Sequence, residues 1–347
     1  MATSKLETTG IAVKFKGCLI GALIGDCFGA PFEFCTNLPV SEKRLKNFFT
    51  EILNGETEQI YPYTDDTAMT LSVTKSLIEN KKICPIDLAK RFVNEYFTDP
   101  ETPERSYGAH VRHVFVALRK SNFEDVFLPA KNQFDGKGSY GNGAAMRIAP
   151  VALFVHDKDD DCIKNAVEQC SFLTHTHPDG YNGALLLCLA IHLALKLDSS
   201  EKLDSMKFIL ELLEKMERIE NKGNSPYCDS LKKMKNIFEK KKDLSPQEVG
   251  ENFGNSVIAL KSVPTAIYSF LRAQKKLPNY KNTNPFIRTI YFAISVGGDT
   301  DTIATMAGAI AGAYYGDDII PKQCKERCDK IKEVEQLADE LLKASYV

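Results

Sequence analysis

Glycine recurs at every fourth position in one stretch of this 347-residue chain, at Gly17, Gly21, Gly25 and Gly29. Residues four apart in a helix lie on one face. A helix from about Ile11 to Gly29 would carry a smooth stripe, and such stripes let a second helix backbone approach closely. The device returns late in the chain, where Ala304, Gly308, Gly312 and Gly316 punctuate an apolar run from Ile303 to Tyr315. We predict that these two helices pack closely, so that the exit of the first lies beside the start of the second. Lys14, Lys16 and Asp26 argue against a membrane dimer seam.

Both ends of that predicted contact carry oxygen ligands. The late helix is preceded by Gly297-Gly298-Asp299-Thr300-Asp301-Thr302, and the first helix leads into Ala30-Pro31-Phe32-Glu33-Phe34. A further set, Thr64-Asp65-Asp66-Thr67, opens another helical pattern running to about Glu79. Hard oxygen donors at helix starts suit a magnesium or calcium ion. The alternative is ordinary capping, in which Asp or Thr accepts from orphan N–H groups and complements the dipole. One residue suffices for a cap, and adjacent aspartates repel each other, so we expect the two sets to converge on one metal centre. Glu33, set between two aromatics, is the candidate acid/base or mobile ligand; a solvated loop carboxylate is the bland reading.

Composition narrows the class. A net charge of −2 offers no general attraction for nucleic acid or anionic membrane. The longest apolar run, Ala184 to Leu195, is too short to span a bilayer and contains His192. Residues 1–10 show no signal-peptide or transit-peptide pattern. The ten cysteines are scattered, several inside apolar runs (Cys18, Cys188), which predicts free thiols in a reducing compartment. A soluble intracellular protein is expected.

The remaining pattern is helical. Helices are expected over Ser41–Gly55 in part, Asp65–Glu79, after Pro85, Tyr107–Lys120, Ala144–Phe154, 180–196, much of 200–250, about Pro264–Leu271, and from Pro321 to Ala344. Residues 275–285 are the best linker candidate, yet the oxygen clusters lie on both sides of it. No strand alternation emerges, and we expect one all-α domain. Between Leu128 and Gly143 lies a glycine-rich loop, Asp135-Gly-Lys-Gly-Ser-Tyr-Gly-Asn-Gly. Such a loop ahead of a helix can offer N–H groups to phosphate, with Ser139 and Asn142 as side-chain donors and Phe134 and Tyr140 as flat faces for a purine. A flexible surface loop is the alternative. Thr174-His175-Thr176-His177-Pro178 invites a zinc reading, but without further ligands a hydrogen-bonding or phosphate-contacting histidine is at least as good.

The motifs together carry a resemblance. Gly-Cys-Leu-Ile-Gly-Ala-Leu-Ile-Gly-Asp at 17–26, Pro-Phe-Glu-Phe at 31–34, Tyr-Thr-Asp-Asp-Thr at 63–67 and Gly-Gly-Asp-Thr-Asp-Thr at 297–302 resemble the ADP-ribosylhydrolase family, which includes the dinitrogenase reductase-activating glycohydrolases. Gly-Ser-Tyr-Gly-Asn-Gly-Ala-Ala-Met-Arg (138–147) and Ser-Val-Pro-Thr-Ala-Ile-Tyr (262–268) look closest to the third vertebrate branch.

That resemblance implies an all-α orthogonal bundle, a single domain over residues 8–347 after a flexible segment 1–7, with a metal cleft at helix N-termini. It implies two Mg²⁺, with Mn²⁺ able to substitute, held by Thr64, Asp65, Asp66, Asp299, Asp301 and Thr302, and by Glu33 in some states. It implies that Phe134 and Tyr140 hold adenine, that Lys137, Gly138, Ser139, Tyr140, Gly141, Asn142 and Gly143 with His175 contact diphosphate and ribose, and that Val257 lies beside the adenosine. Asp65 would also touch substrate. The implied activity is hydrolysis at the anomeric carbon of ADP-ribose, on serine residues of proteins such as histones, in poly(ADP-ribose) and in O-acetyl-ADP-ribose. Nucleus, cytoplasm and mitochondrial matrix are the implied compartments; no specific DNA binding, no membrane and a monomer are expected. An arginine-specific hydrolase, a metal phosphoesterase and a non-catalytic ADP-ribose binder remain the rival readings.

Overall fold

Two glycine-striped helices, Ala2–Gly29 and Thr300–Tyr315, run antiparallel in direct backbone contact. Gly17 faces Gly312 and Gly316, Gly21 faces Gly308, Gly25 faces Ala304, and Gly29 faces Thr300 and Asp301. A Cβ on Gly21 would stand 2.8 Å from the Gly308 carbonyl carbon, and one on Gly29 2.6 Å from the Thr300 oxygen. Any side chain there would force the helices apart. The predicted contact is therefore present, with the exit of the first helix beside the start of the second.

The computed structural model describes residues 2–33, 38–220 and 224–346, with side chains from residue 10 onward. Phe34 and Cys35 lie outside the described residues. Elsewhere the chain is helices and turns, with only isolated β-bridges among the described residues. The late helix is buried from Thr300 to Tyr314. Pro178–Lys196, Val263–Arg272 and Pro285–Ser295 enclose it, while Ile331–Ser345 packs on the first helix and on Asp65–Asn80. Pro178–Lys196 is interior as expected, and no described helix is long and apolar enough to cross a membrane. The nine described cysteines are free, with Cys18 and Cys188 fully buried.

Two predicted helices are broken. Ala144–Phe154 divides into Gly143–Met146 and Ala149–Phe154, because Pro150 lacks the N–H an unbroken helix would need. The expected helix over 321–344 divides into Lys322–Lys325 and Ile331–Ser345. Between them the chain pairs with Tyr61, whose N–H donates to Arg327 O (2.8 Å) and whose O accepts from Asp329 N (3.1 Å). Residues 275–285 are pinned down: Tyr280 stacks on Tyr291 at 3.8 Å, and Asn284 caps Pro285–Ser295.

Candidate functional site

The close helix contact delivers the first carboxylates. Thr300 Oγ1 donates to Gly29 O (2.9 Å), tying the two helix ends together. After a 3-10 turn, Ala30–Phe32, the chain reaches Glu33. Arg44 holds this turn, donating to Pro31 O (2.9 Å) with its guanidinium 4.6 Å from the Phe32 ring centre. On the opposite side Gly297 and Gly298 take φ of 78° and 75°, a left-handed turn that favours glycine. Asp299 follows, its N–H bound to Asn255 O at 2.9 Å. Asp299 stands at the N-cap position, yet its side chain makes no cap hydrogen bond. It turns instead toward Glu33 and Asp301; one carboxylate oxygen from each of the three lies within 4.8 Å of the others.

The second set arrives on the helix Asp65–Asn80. Here Thr64 does cap, accepting from Asp66 N at 3.3 Å. Asp66 Oδ1 accepts from Thr302 Oγ1 (3.3 Å), so the two sets meet as predicted. Behind them lies Asp26, fully buried on the first helix. Its carboxylate accepts from Thr64 N (3.0 Å), Thr64 Oγ1 (2.8 Å), Thr67 N (3.1 Å) and Thr67 Oγ1 (2.6 Å). A carboxylate from one helix thereby braces the N-terminus of another.

Six carboxylates now share one low-dielectric region. Burial first, then mutual repulsion, push Asp65, Asp66 and Asp301 far above the usual carboxylate range. Burial also raises Asp26 and Asp299, against hydrogen bonds that oppose it. Glu33 is pushed up to about 7, by burial and then by the Asp299 charge. No lysine or arginine is among the described groups acting most strongly on these six. Asp66 Oδ2 is buried with no hydrogen-bond partner. Unneutralised carboxylates, an orphaned oxygen and hard donors only are what a divalent oxygen-liganded cation fits. Asp65, Asp66, Asp299, Asp301, Thr302 and Glu33 line the cavity where it would sit. Thr64 is buried just behind, its hydroxyl engaged with Asp26.

That cavity measures about 510 Å³ and continues along the glycine loop. Asn142 joins the loop to the acidic cluster, donating from Nδ2 to Asp299 Oδ2 (2.5 Å) and from its backbone to Val257 O (2.8 Å). Ala259 N donates to Tyr140 O (3.1 Å), so the loop is pinned to residues 257–259. Phe134 holds a left-handed backbone, φ 51°, a strained state for a bulky residue. Its ring lies 5.4 Å from Tyr140 and 4.4 Å from His110. Ser139, Gly141, Gly143, His175 and Val257 also line the cavity. Lys137 is exposed and Gly138 packs on Thr176 and His177; neither lines it. The two histidines separate: His175 is buried at the cavity, whereas His177 Nδ1 caps the next helix by accepting from Asp179 N (3.1 Å). They make no joint zinc site, and the one three-ligand grouping among the described residues is Glu33, Asp299 and Asp301.

Sequence reasoning missed Asp26, His110, Arg147 and Thr174 as site components. Asp26 could have been found as the lone carboxylate of the striped segment, and Arg147 as a lone charge in the run from Ala144 to Phe154. Nothing local marks His110 or Thr174.

A family model described as ADP-ribosylglycohydrolase matches residues 7–347. The chain belongs to the ADP-ribosylglycohydrolase family. Within the family it is 42% identical over 343 residues to the ADP-ribosylhydrolase ARH3 of Xenopus tropicalis, covering 94% of each chain. It is 41% identical over 346 residues to the ARH3 of Homo sapiens, covering 94% of this chain and 92% of that one. The ADP-ribosylarginine hydrolase Tri1 of Pseudomonas putida is more distant, 25% identical with 94% of this chain covered. A solved structure titled ADP-ribosylglycohydrolase-related protein complex superposes with a TM-score of 0.64 over 97% of this chain and 99% of its own. At 21% identity that likeness speaks for the shared all-α fold alone.

Proposed function

We propose that this protein is a metal-dependent hydrolase of ADP-ribose linkages that cleaves the O-glycosidic bond between ADP-ribose and serine on proteins. The observation that carries the reading is the placement of Glu33 against Asp299 and Asp301 in the same cavity as the Phe134–Tyr140 pair. Reaction chemistry and a purine platform thus share one space. The identity of about 41% to the ARH3 proteins favours serine over arginine, against 25% for the arginine-specific relative. Poly(ADP-ribose) and O-acetyl-ADP-ribose present the same anomeric oxygen linkage and belong to the same proposal, as do histones bearing serine-linked ADP-ribose. We also take residues 8–347 to act as one domain and one monomeric unit, serving the nucleus, cytoplasm and mitochondrial matrix.

Asp65, Asp66, Asp299, Asp301, Thr302 and, through its second lone pair, Thr64 would hold two Mg²⁺. When bound, such ions polarise oxygens and orient ribose hydroxyls at the reacting carbon. The chain's own residues do the rest. Glu33, a carboxyl held near neutrality, gives a proton to the leaving serine oxygen or takes one from the attacking water. Asn142 fixes Asp299 and the loop together. The two aromatic rings stand too close for a base between them, which needs about 7 Å, twice a van der Waals contact. Tyr140, 40% exposed, swings out to admit adenine against Phe134.

The test is release of free ADP-ribose from matched serine-linked and arginine-linked peptides, with Mg²⁺ and with EDTA. Serine-only, EDTA-sensitive release is expected. Release from arginine overturns the linkage assignment, AMP as product overturns the bond assignment, and ADP-ribose binding without release leaves a binding protein.

A further inference from the structure

Arg147 is the largest fully buried side chain among the described residues. Among the described residues no carboxylate pairs with it. Its Nη1 donates to Gly143 O (2.6 Å), and its Nη2 donates to Cys170 O (3.1 Å) and to Thr174 Oγ1 (2.8 Å). Thr174 Oγ1 has one other partner among the described residues, His175 Nδ1 at 2.7 Å. These contacts settle where the protons lie. A guanidinium can only donate, so the threonine oxygen accepts from Arg147. The threonine proton then goes to His175 Nδ1, the remaining partner. Were Nδ1 the proton carrier, the hydroxyl would accept twice, and its own proton would be stranded where Thr174 is 2% exposed. A buried donor left unmet in that way is disfavoured against one that is hydrogen-bonded. Nδ1 therefore accepts, and the proton of the neutral ring sits on Nε2.

The ring's other edge faces the glycine loop and the cavity. A Cβ added to Gly143 would meet His175 Cε1 at 2.9 Å and Nε2 at 3.2 Å, and one on Gly141 would meet Nε2 at 3.3 Å. Nε2 has no protein partner among the described hydrogen bonds, and His175 lines the cavity. Arg147 also grips Gly143 itself, so one guanidinium sets both the loop and, through Thr174, the histidine.

We infer that Arg147 and Thr174 are positioning residues that lock His175 as its neutral Nε2–H tautomer, aiming a single uncharged donor at a phosphate oxygen of the bound ligand. The ligand part rests on the proposed ADP-ribose chemistry; the tautomer part does not. Burial, with the Arg147 charge second, pushes His175 down to about 3, which keeps the ring uncharged at working pH. A neutral donor orients the diphosphate without the strong charge attraction that would hold the product. The opposite tautomer would set a lone pair against anionic oxygen.

Nitrogen-15 NMR of histidine-labelled protein reads the tautomer without any ligand, with His175→Gln assigning the signal. The wild-type chain is expected to show His175 protonated at Nε2 and bare at Nδ1. Thr174→Val keeps the side-chain shape but removes the hydroxyl; it should give a tautomer mixture and weaken ADP-ribose binding about 2–12-fold, one hydrogen bond's worth. Thr174→Ser should restore both. A wild-type Nδ1–H signal, or an unchanged Nε2–H signal in a folded Thr174→Val, overturns the lock. A tautomer change with unchanged ADP-ribose affinity overturns the donor role. If the wild type shows the expected tautomer, loses it in Thr174→Val, and binds no ADP-ribose, the lock stands and the functional proposal is what fails.

Discussion

At the scale of single residues, the site depends on where carboxylates are buried. Glu33 is only half-buried, and burial with the Asp299 charge pushes it up to about 7, which suits a group that exchanges protons at neutral pH. Glu33→Gln keeps the shape and a hydrogen-bonding head but cannot transfer the proton. Turnover should fall about 10²–10⁴-fold while ADP-ribose affinity, measured by calorimetry, stays close to that of the wild type. Near-normal turnover would remove Glu33 from the chemistry. Asp26 is the opposite case, a carboxylate that braces without reaching the cavity. Asp26→Asn replaces one acceptor oxygen by a donor facing the Thr64 and Thr67 donors. Denaturant unfolding should register a loss of about 1–3 kcal/mol, and divalent affinity should weaken because Asp65 and Asp66 lose their support. Affinity left intact would show that the helix start holds its shape unaided. The carboxylates of the site were legible in the sequence because consecutive acids at a helix start conflict with simple capping. Asp26 stood out only as a lone carboxylate; its bracing role was not legible, since its partners lie about forty residues away in the chain.

At the scale of elements, the two striped helices set the distance between Glu33 and Asp299. Their pairing could be read from the sequence because a four-residue glycine spacing is costly in a helix unless a backbone fills the gap. The breaks at Pro150 and near Lys330 were less legible. The first depended on giving one proline more weight than an apolar run, and the second on a long-range pairing with Tyr61 that no local pattern encodes. The glycine loop's course was likewise hidden, since its anchors are residues 257–259. The helix contact yields a paired prediction. Replacing an exposed helical glycine by alanine ordinarily stabilises by about 0.5–1 kcal/mol. Gly10, with nothing within 4 Å of an added Cβ, should follow that rule. Gly21→Ala should reverse it, destabilising by about 1–3 kcal/mol as the added methyl presses on Gly308. Thermal or denaturant unfolding of both variants decides it; a Gly21→Ala that stabilises as Gly10→Ala does would mean that the contact yields easily.

At the scale of the whole molecule, the acidic centre makes stability a function of pH and of divalent cations together. Raised carboxylate pKa values mean that the folded chain binds more protons than the unfolded one, from the ordinary value of 4.5 up to about 7 for Glu33, with Asp65, Asp66 and Asp301 also held well above the usual aspartate range. Stability of the metal-free protein is therefore lost as pH rises through that window. Buried histidines act in the other direction. His175 and His192 are lowered to about 3 and about 4, mainly by burial, so they withdraw stability as pH falls below the ordinary 6.5. Comparing melting with and without Mg²⁺ at each pH cancels the histidines, because both samples contain them equally. What remains is competition between protons and cation for the same oxygens. The Mg²⁺-induced rise in Tm should thus be larger at pH 8 than at pH 6. At a concentration 100 times Kd it should reach about 4 °C for a chain of this size, from a linkage of about 2.7 kcal/mol. Asp301→Asn should lower the rise at pH 8 and flatten its pH dependence, since one competing proton site is gone. A rise that is equal at both pH values, or absent at saturating Mg²⁺, would mean that these carboxylates hold no cation and that protons or hydrogen bonds alone neutralise them.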